Sequence, residues 1–167
     1  MTDDEVDQSP TRVSAGLALI VALGSVLLVA SWAPIAGAVA AGGLVLVALG
    51  VTMGSVTAVV AGSFGLFGGV LFAGLADADV LWLLAATLGA VLAWDFGEQA
   101  VTLGKQVGTE ASTARGELVH ASVSLVVGMA SVGVVAGVVA AVDGGLHIGA
   151  LVVLLVAGVV LISAIRP

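Results

Sequence analysis

The chain has 167 residues, of which 60% are hydrophobic and only 9% charged, and its mean hydropathy is +1.29. That balance excludes an ordinary soluble domain, and a formal charge of -7, with four bases against eleven acids, excludes an electrostatic nucleic-acid binder. The absence of cysteine removes disulfides, thiolate metal sites and cysteine nucleophiles together.

MTDDEVDQ, residues 1–8, carries four acids and no base, the wrong start for a secretory or transit peptide. Residues 1–12 are expected to form an acidic cytoplasmic tail, and the first span to remain uncleaved. No charged residue occurs from Val13 to Ala76, and one crossing needs about 20 apolar residues, so this run has room for three. The first span is placed at 13–31 and ends at SWAP, where Pro34 turns Ala33 away from helix and Trp32 suits an interface. The next apolar run divides at VTMGS, residues 51–55, giving spans at 35–51 and 55–76. DAD, residues 77–79, closes the third span, with Asp77 and Asp79 read as a polar cap. The fourth is placed at 80–96, the fifth at 118–142 before the turn DGGLH, and the sixth at 146–165. Continuous apolar runs rich in Ala, Val, Leu and Gly are the pattern of helices, not of the alternating strands of a membrane barrel.

The expected architecture is therefore all-α: a polytopic transmembrane bundle of about six spans, forming a single domain over 13–167 in the cell membrane. Lys and Arg near span ends favour the cytoplasmic side. With an inside N-terminus, six spans place Arg12, Lys105, Arg115 and Arg166 all inside, along with the C-terminus, and leave Asp77, Asp79 and Asp143 outside. Merging the second and third spans would set Arg12 against the other three bases.

Glycine pairs four residues apart occur at Gly50/Gly54, Gly65/Gly69, Gly104/Gly108, Gly133/Gly137 and Gly145/Gly149. They are read as helix-packing positions within one chain, Gly133/Gly137 foremost because it lies mid-span. No charge falls in the middle of an expected span and no proline interrupts one, which argues against a charge-driven transporter.

Residues 95–117 form the longest polar stretch. Asp95, Glu98, Thr102, Lys105, Thr109 and Ser112 recur every three or four residues, and Phe96, Ala100, Leu103, Val107, Ala111, Ala114 and Leu118 line the opposite face. This is the pattern of an amphipathic cytoplasmic connector that continues the fourth span or lies beneath the membrane. Its charges do not pair along the helix, so their partners are water, the fifth span, or a bound protein or cation. Four acids and two bases leave it at -2, unlike helices that bind anionic lipid. Asp95, Glu98, Lys105, Glu110, Arg115 and Glu117 are the candidate partner-binding residues.

Glu117 and His120 make an E-x-x-H pair, a spacing that puts two ligands on one face in di-metal carboxylate bundles. A complete site needs a second such pair, which this chain has only across a dimer. Glu98, Glu117 and His120 are the candidate metal ligands, but the preferred reading makes them interfacial polar residues, and no metal or cofactor is expected. His147 is read as solvated. No G-x-S-x-G, H-E-x-x-H or S-x-x-K pattern and no phosphate loop occurs.

At WDFGEQAVTLGKQVGTEASTARGELVHAS the sequence resembles a family of small haloarchaeal integral membrane proteins of unknown function. The resemblance rests on W-D-x-G-E at Trp94, Asp95, Gly97 and Glu98, and on E-L-V-H-A at Glu117, Leu118, Val119, His120 and Ala121; it covers about residues 62–142. It implies a membrane assembly, because genes of that family tend to lie beside those of MoxR-type AAA ATPases and their companions. One departure is that VTMGS carries no charge, where relatives are more basic. The expected function is a non-enzymatic scaffold or accessory subunit contacting the lipid bilayer and a protein partner. The alternatives are a permease or channel for a small neutral solute and a metal-dependent membrane enzyme.

Overall fold

The computed structural model describes residues 9–107 and 113–141. Five helices are formed in chain order: α1 Arg12–Ala30, α2 Pro34–Met53, α3 Val56–Leu75, α4 Val80–Val107 and α5 Ala114–Ala141. The chain divides into two compact units, residues 1–132 and 133–167. The first holds α1 to α4 and α5 as far as Val132; the second is described only at 133–141, the end of α5. The expected sixth span at 146–165 lies outside the described residues, as do Glu110, Asp143, His147 and Arg166.

The helix boundaries have local chemical causes. Pro34 opens α2 at a position that needs no N–H donor. Gly54 closes α2 in the left-handed region at φ 65°, and the Ser55 hydroxyl then accepts the Ala58 N–H to start α3. VTMGS is thus a glycine stop followed by a serine start, and α2 and α3 are separate helices. Beyond α3, Asp77 takes a left-handed φ of 56°, and the Ala78 N–H returns to the Ala73 carbonyl. The Asp79 carboxylate accepts the Leu81 N–H and caps α4.

Neighbouring helices run antiparallel. Thr11 pairs with Ala100 and Ser25 with Ala86 along α1 and α4. Gly50 meets Val59 and Gly69 meets Ala40 along α2 and α3, whereas Gly97 meets Val59 and Gly74 meets Leu83 along α3 and α4. The result is an up-and-down bundle in which α1 touches α2 and α4, and α3 closes the ring.

The interior is built from small residues. Ala22, Ala36, Ala40, Ala86, Ala90 and Ala93 are fully buried, and Leu66 is the largest fully buried side chain. The α2–α3 seam is tightest: a Cβ on Gly43 would lie 2.6 Å from the Gly62 carbonyl oxygen, and one on Gly62 would lie 2.5 Å from the Val47 nitrogen. The residues of this seam, Ala36, Ala40, Gly43, Val47 and Gly50 against Val59, Gly62, Leu66, Gly69 and Ala73, alternate spacings of three and four. Among the described residues a Cβ at Gly133 or Gly137 meets nothing within 4 Å, and the expected sixth span that follows α5 lies outside them. Of the other expected pairs, Gly65 and Gly69 both make close approaches.

Bulky apolar side chains point outward: Ile20 and Phe64 are each 67% exposed, Leu71 71% and Leu75 82%. Buried or seam hydroxyls bond within the protein, Ser63 and Thr87 to carbonyls one turn back and Ser25 to the Ala86 carbonyl of α4. Among the described residues no buried side-chain N or O lacks a partner.

Candidate functional site

The polar groups of the first unit collect where α1 begins, the second half of α4 passes and α5 starts. α4 runs unbroken to Val107, so residues 95–107 continue the fourth helix beyond the span expected at 80–96. The second part of the expected connector, from Ala114, is already α5. Asp95 therefore lies within a continuous helix, the first of the two arrangements expected for the connector.

Glu117 lies in the first turn of α5 and is 2% exposed. Its Oε2 accepts the Thr11 hydroxyl at 2.8 Å, the Ser14 N–H at 2.8 Å and the Ser14 hydroxyl at 2.7 Å. Its Oε1 accepts the Thr113 hydroxyl at 2.7 Å. Thr11 is the N-cap of α1, yet its hydroxyl makes no bond to its own helix. A carboxylate from α5 supplies that cap, accepting the Ser14 N–H at the positive end of the α1 dipole. The Ser14 hydroxyl also lies 3.4 Å from the Gln99 side-chain oxygen, and the Thr11 N–H donates to the Ala100 carbonyl. Three helices are joined at this point. Glu117 as a partner-binding residue is thereby corrected, because both its oxygens are occupied inside the fold.

A turn deeper, Asp95 of α4 faces His120 and Ser124 of α5. His120 Nε2 lies 3.0 Å from Asp95 Oδ2, and the Ser124 hydroxyl donates to the same oxygen at 2.7 Å. A bond to a carboxylate requires Nε2 to carry the proton. Ser124 Oγ is also 3.4 Å from Nε2, so serine and aspartate crowd one ring nitrogen. A nucleophilic triad instead places the acid on one nitrogen and the serine on the other. The pair is partly open, with 42% of the His120 side chain and 35% of the Asp95 side chain exposed, and Leu92 and Phe96 of α4 pack with Ala18 of α1 in a separate buried apolar cluster.

The E-x-x-H spacing sets Glu117 and His120 one turn apart on α5, as expected, but they face different neighbours: α1 for the glutamate, α4 for the histidine. Glu98 is exposed. The three candidate metal ligands do not converge, and among the described residues no group of three or more His, Asp or Glu side chains does. Glu98, Lys105 and Arg115 stand exposed at this end of the bundle. The N-terminal segment crosses the same end, where Ser9 and Pro10 lie against Gly104 so closely that no side chain would fit there.

The described residues are all-helical, and each of their five helices is long and apolar enough to cross a membrane. The chain belongs to a family of unknown function, DUF7519, which it matches over residues 8–162. No curated protein and no solved structure matches it.

Asp95, Glu117 and His120 stood out in the sequence, and the fifth span was among the partners open to Asp95, but the pairing of Glu117 with Thr11 and Ser14 had no local signal because they lie more than a hundred residues away. The hydroxyls at Thr11, Ser14 and Ser124 were the residues that sequence reasoning passed over.

Proposed function

We propose that the protein is a non-enzymatic scaffold or accessory subunit of the cell membrane, presenting the charged bundle end that carries Glu98, Lys105 and Arg115 to a protein partner in the cytoplasm. The single observation that carries this reading is the state of Glu98, Lys105 and Arg115. They are exposed at one end, whereas Asp95 and Glu117 are engaged by other helices. The interior of small residues and the outward bulky apolar side chains support a lipid surround, since lipid accepts what water would reject.

Arg12, Lys105 and Arg115 sit at the same end, through the Thr11–Ala100 and Thr11–Glu117 contacts. The preference of basic residues for the inner side then favours a cytoplasmic N-terminus, and with the sixth span a cytoplasmic C-terminus. The motif resemblance adds a haloarchaeal source and a MoxR-type ATPase system as the class of partner. Neither the permease nor the metal-enzyme alternative gains a supporting observation.

Affinity capture from mild detergent tests the scaffold reading. Recovery of a specific partner should fall several-fold in Glu98→Ala and Lys105→Ala, and less in an exposed apolar change such as Ile20→Ala. Indifference of every captured protein to both charge changes would contradict it.

A further inference from the structure

We propose that Arg12, Lys105 and Arg115 form a docking surface for the chain's own acidic N-terminal segment, residues 1–8. The first observation is the seat of the strap that leads to that segment. Gly104 is buried although Lys105 and Gln106 beside it are exposed, because Ser9 and Pro10 lie directly on it. A Cβ at Gly104 would come within 2.8 Å of the Pro10 Cα. On its other side, the Pro10 Cγ stands 3.9 Å from where a Cβ on Gly54 would lie, at the turn between α2 and α3. Thr11 is then held twice, its N–H on the Ala100 carbonyl and its hydroxyl on Glu117. The strap therefore runs from Ala100 to Gly104, one turn along α4, and delivers the segment before it beside Lys105.

The second observation is charge. Residues 1–8, which lie outside the described ones, contain Asp3, Asp4, Glu5 and Asp7 and no base. At the end of the bundle where the strap lies, Arg12, Lys105 and Arg115 are exposed, and Glu98 is the exposed acid among the described residues there. Two clusters of opposite sign are thus carried by one chain at one place.

The third is reach. Even at full extension Asp7 is tethered within about 7 Å of Ser9, and Asp3 within about 22 Å. A single exposed ion pair is weak and would not hold a free peptide. A short leash changes that, because it keeps the acids at a high local concentration and spares them the entropy of bringing two molecules together. Held there, the segment covers the surface that the scaffold reading gives to a partner, which must displace it to bind. That consequence rests on the scaffold reading, whereas the docking itself does not.

The chain has no cysteine, so Val6→Cys with Gln106→Cys reports on docking through the rate at which the disulfide between them forms. The full chain in zwitterionic vesicles is compared with one whose leash is the same but whose acids are neutral: Asp3→Asn, Asp4→Asn, Glu5→Gln and Asp7→Asn. A third chain carries Lys105→Gln with Arg115→Gln. Each rate is divided by that of the same thiols toward a small uncharged disulfide, which corrects for their acidity. Either set of changes should slow the disulfide within one chain about three- to tenfold. Both sets together should slow it no further than the neutral segment alone, because they remove the same contact. A rate indifferent to the neutral segment, additive losses from the two sets, or a disulfide formed only between two copies overturns the proposal.

Discussion

Glu117 shows how one side chain ties together segments more than a hundred residues apart. Four donors converge on its two oxygens, three of them from the first turn of α1. Removing the carboxylate leaves the Ser14 N–H and the hydroxyls of Thr11 and Ser14 without their acceptor in a site closed to water. Glu117→Ala should lower stability by about 2–4 kcal/mol and Glu117→Gln by about 1–2 kcal/mol, because the amide keeps an acceptor but loses its charge beside the helix dipole. Thermal unfolding in detergent checks the order, and an unchanged midpoint in the alanine variant would refute the role. The sequence offered the E-x-x-H spacing and with it the shared face of Glu117 and His120. It could not offer the partners, because Thr11 and Ser14 stand before a plain apolar span and read as an ordinary helix start.

At the scale of the element, backbone contact governs which glycines matter. Gly42 and Gly43 are adjacent on α2, yet a Cβ at Gly42 meets nothing within 4 Å, whereas one at Gly43 lies 2.6 Å from the Gly62 oxygen and from the Leu66 nitrogen. Gly43→Ala should destabilise the α2–α3 hairpin by about 1–3 kcal/mol, since backbone atoms cannot move aside like a flexible side chain. Gly42→Ala should be neutral or stabilising by up to about 1 kcal/mol through helix propensity. Resistance to unfolding by denaturing detergent compares the two, and equal effects would contradict the packing. The reversal at Gly54 and Ser55 was legible because cap chemistry is local. The packing glycines were legible only in part: Gly50, Gly65 and Gly69 fall in pairs four apart, but Gly43 and Gly62 do not, because the seam alternates three and four and includes alanine and valine. α4 continues into the polar stretch, one of the two arrangements its amphipathic pattern allowed: His120 and Ser124 of another helix bind Asp95, and Glu98 is exposed.

For the molecule as a whole, small residues inside and large apolar ones outside reverse the arrangement of a water-soluble bundle. This inversion follows from composition, in which Ala, Val and Gly dominate and charge is scarce, so the class of fold was readable before any contact was known. Handedness of threading rests on less: three described bases at one end and two aspartates, Asp77 and Asp79, at the other. Both acids already serve the backbone there, one in the left-handed turn and one as the cap of α4. The proposed orientation places Lys105 and Arg12 in the cytoplasm and Asp79 outside. Single cysteines at Lys105 and at Asp79, in this cysteine-free chain, probed on intact cells with a thiol reagent that cannot cross the membrane, test that placement directly. The account predicts labelling at position 79 and labelling at position 105 only after the cells are opened; labelling of 105 from outside would contradict it.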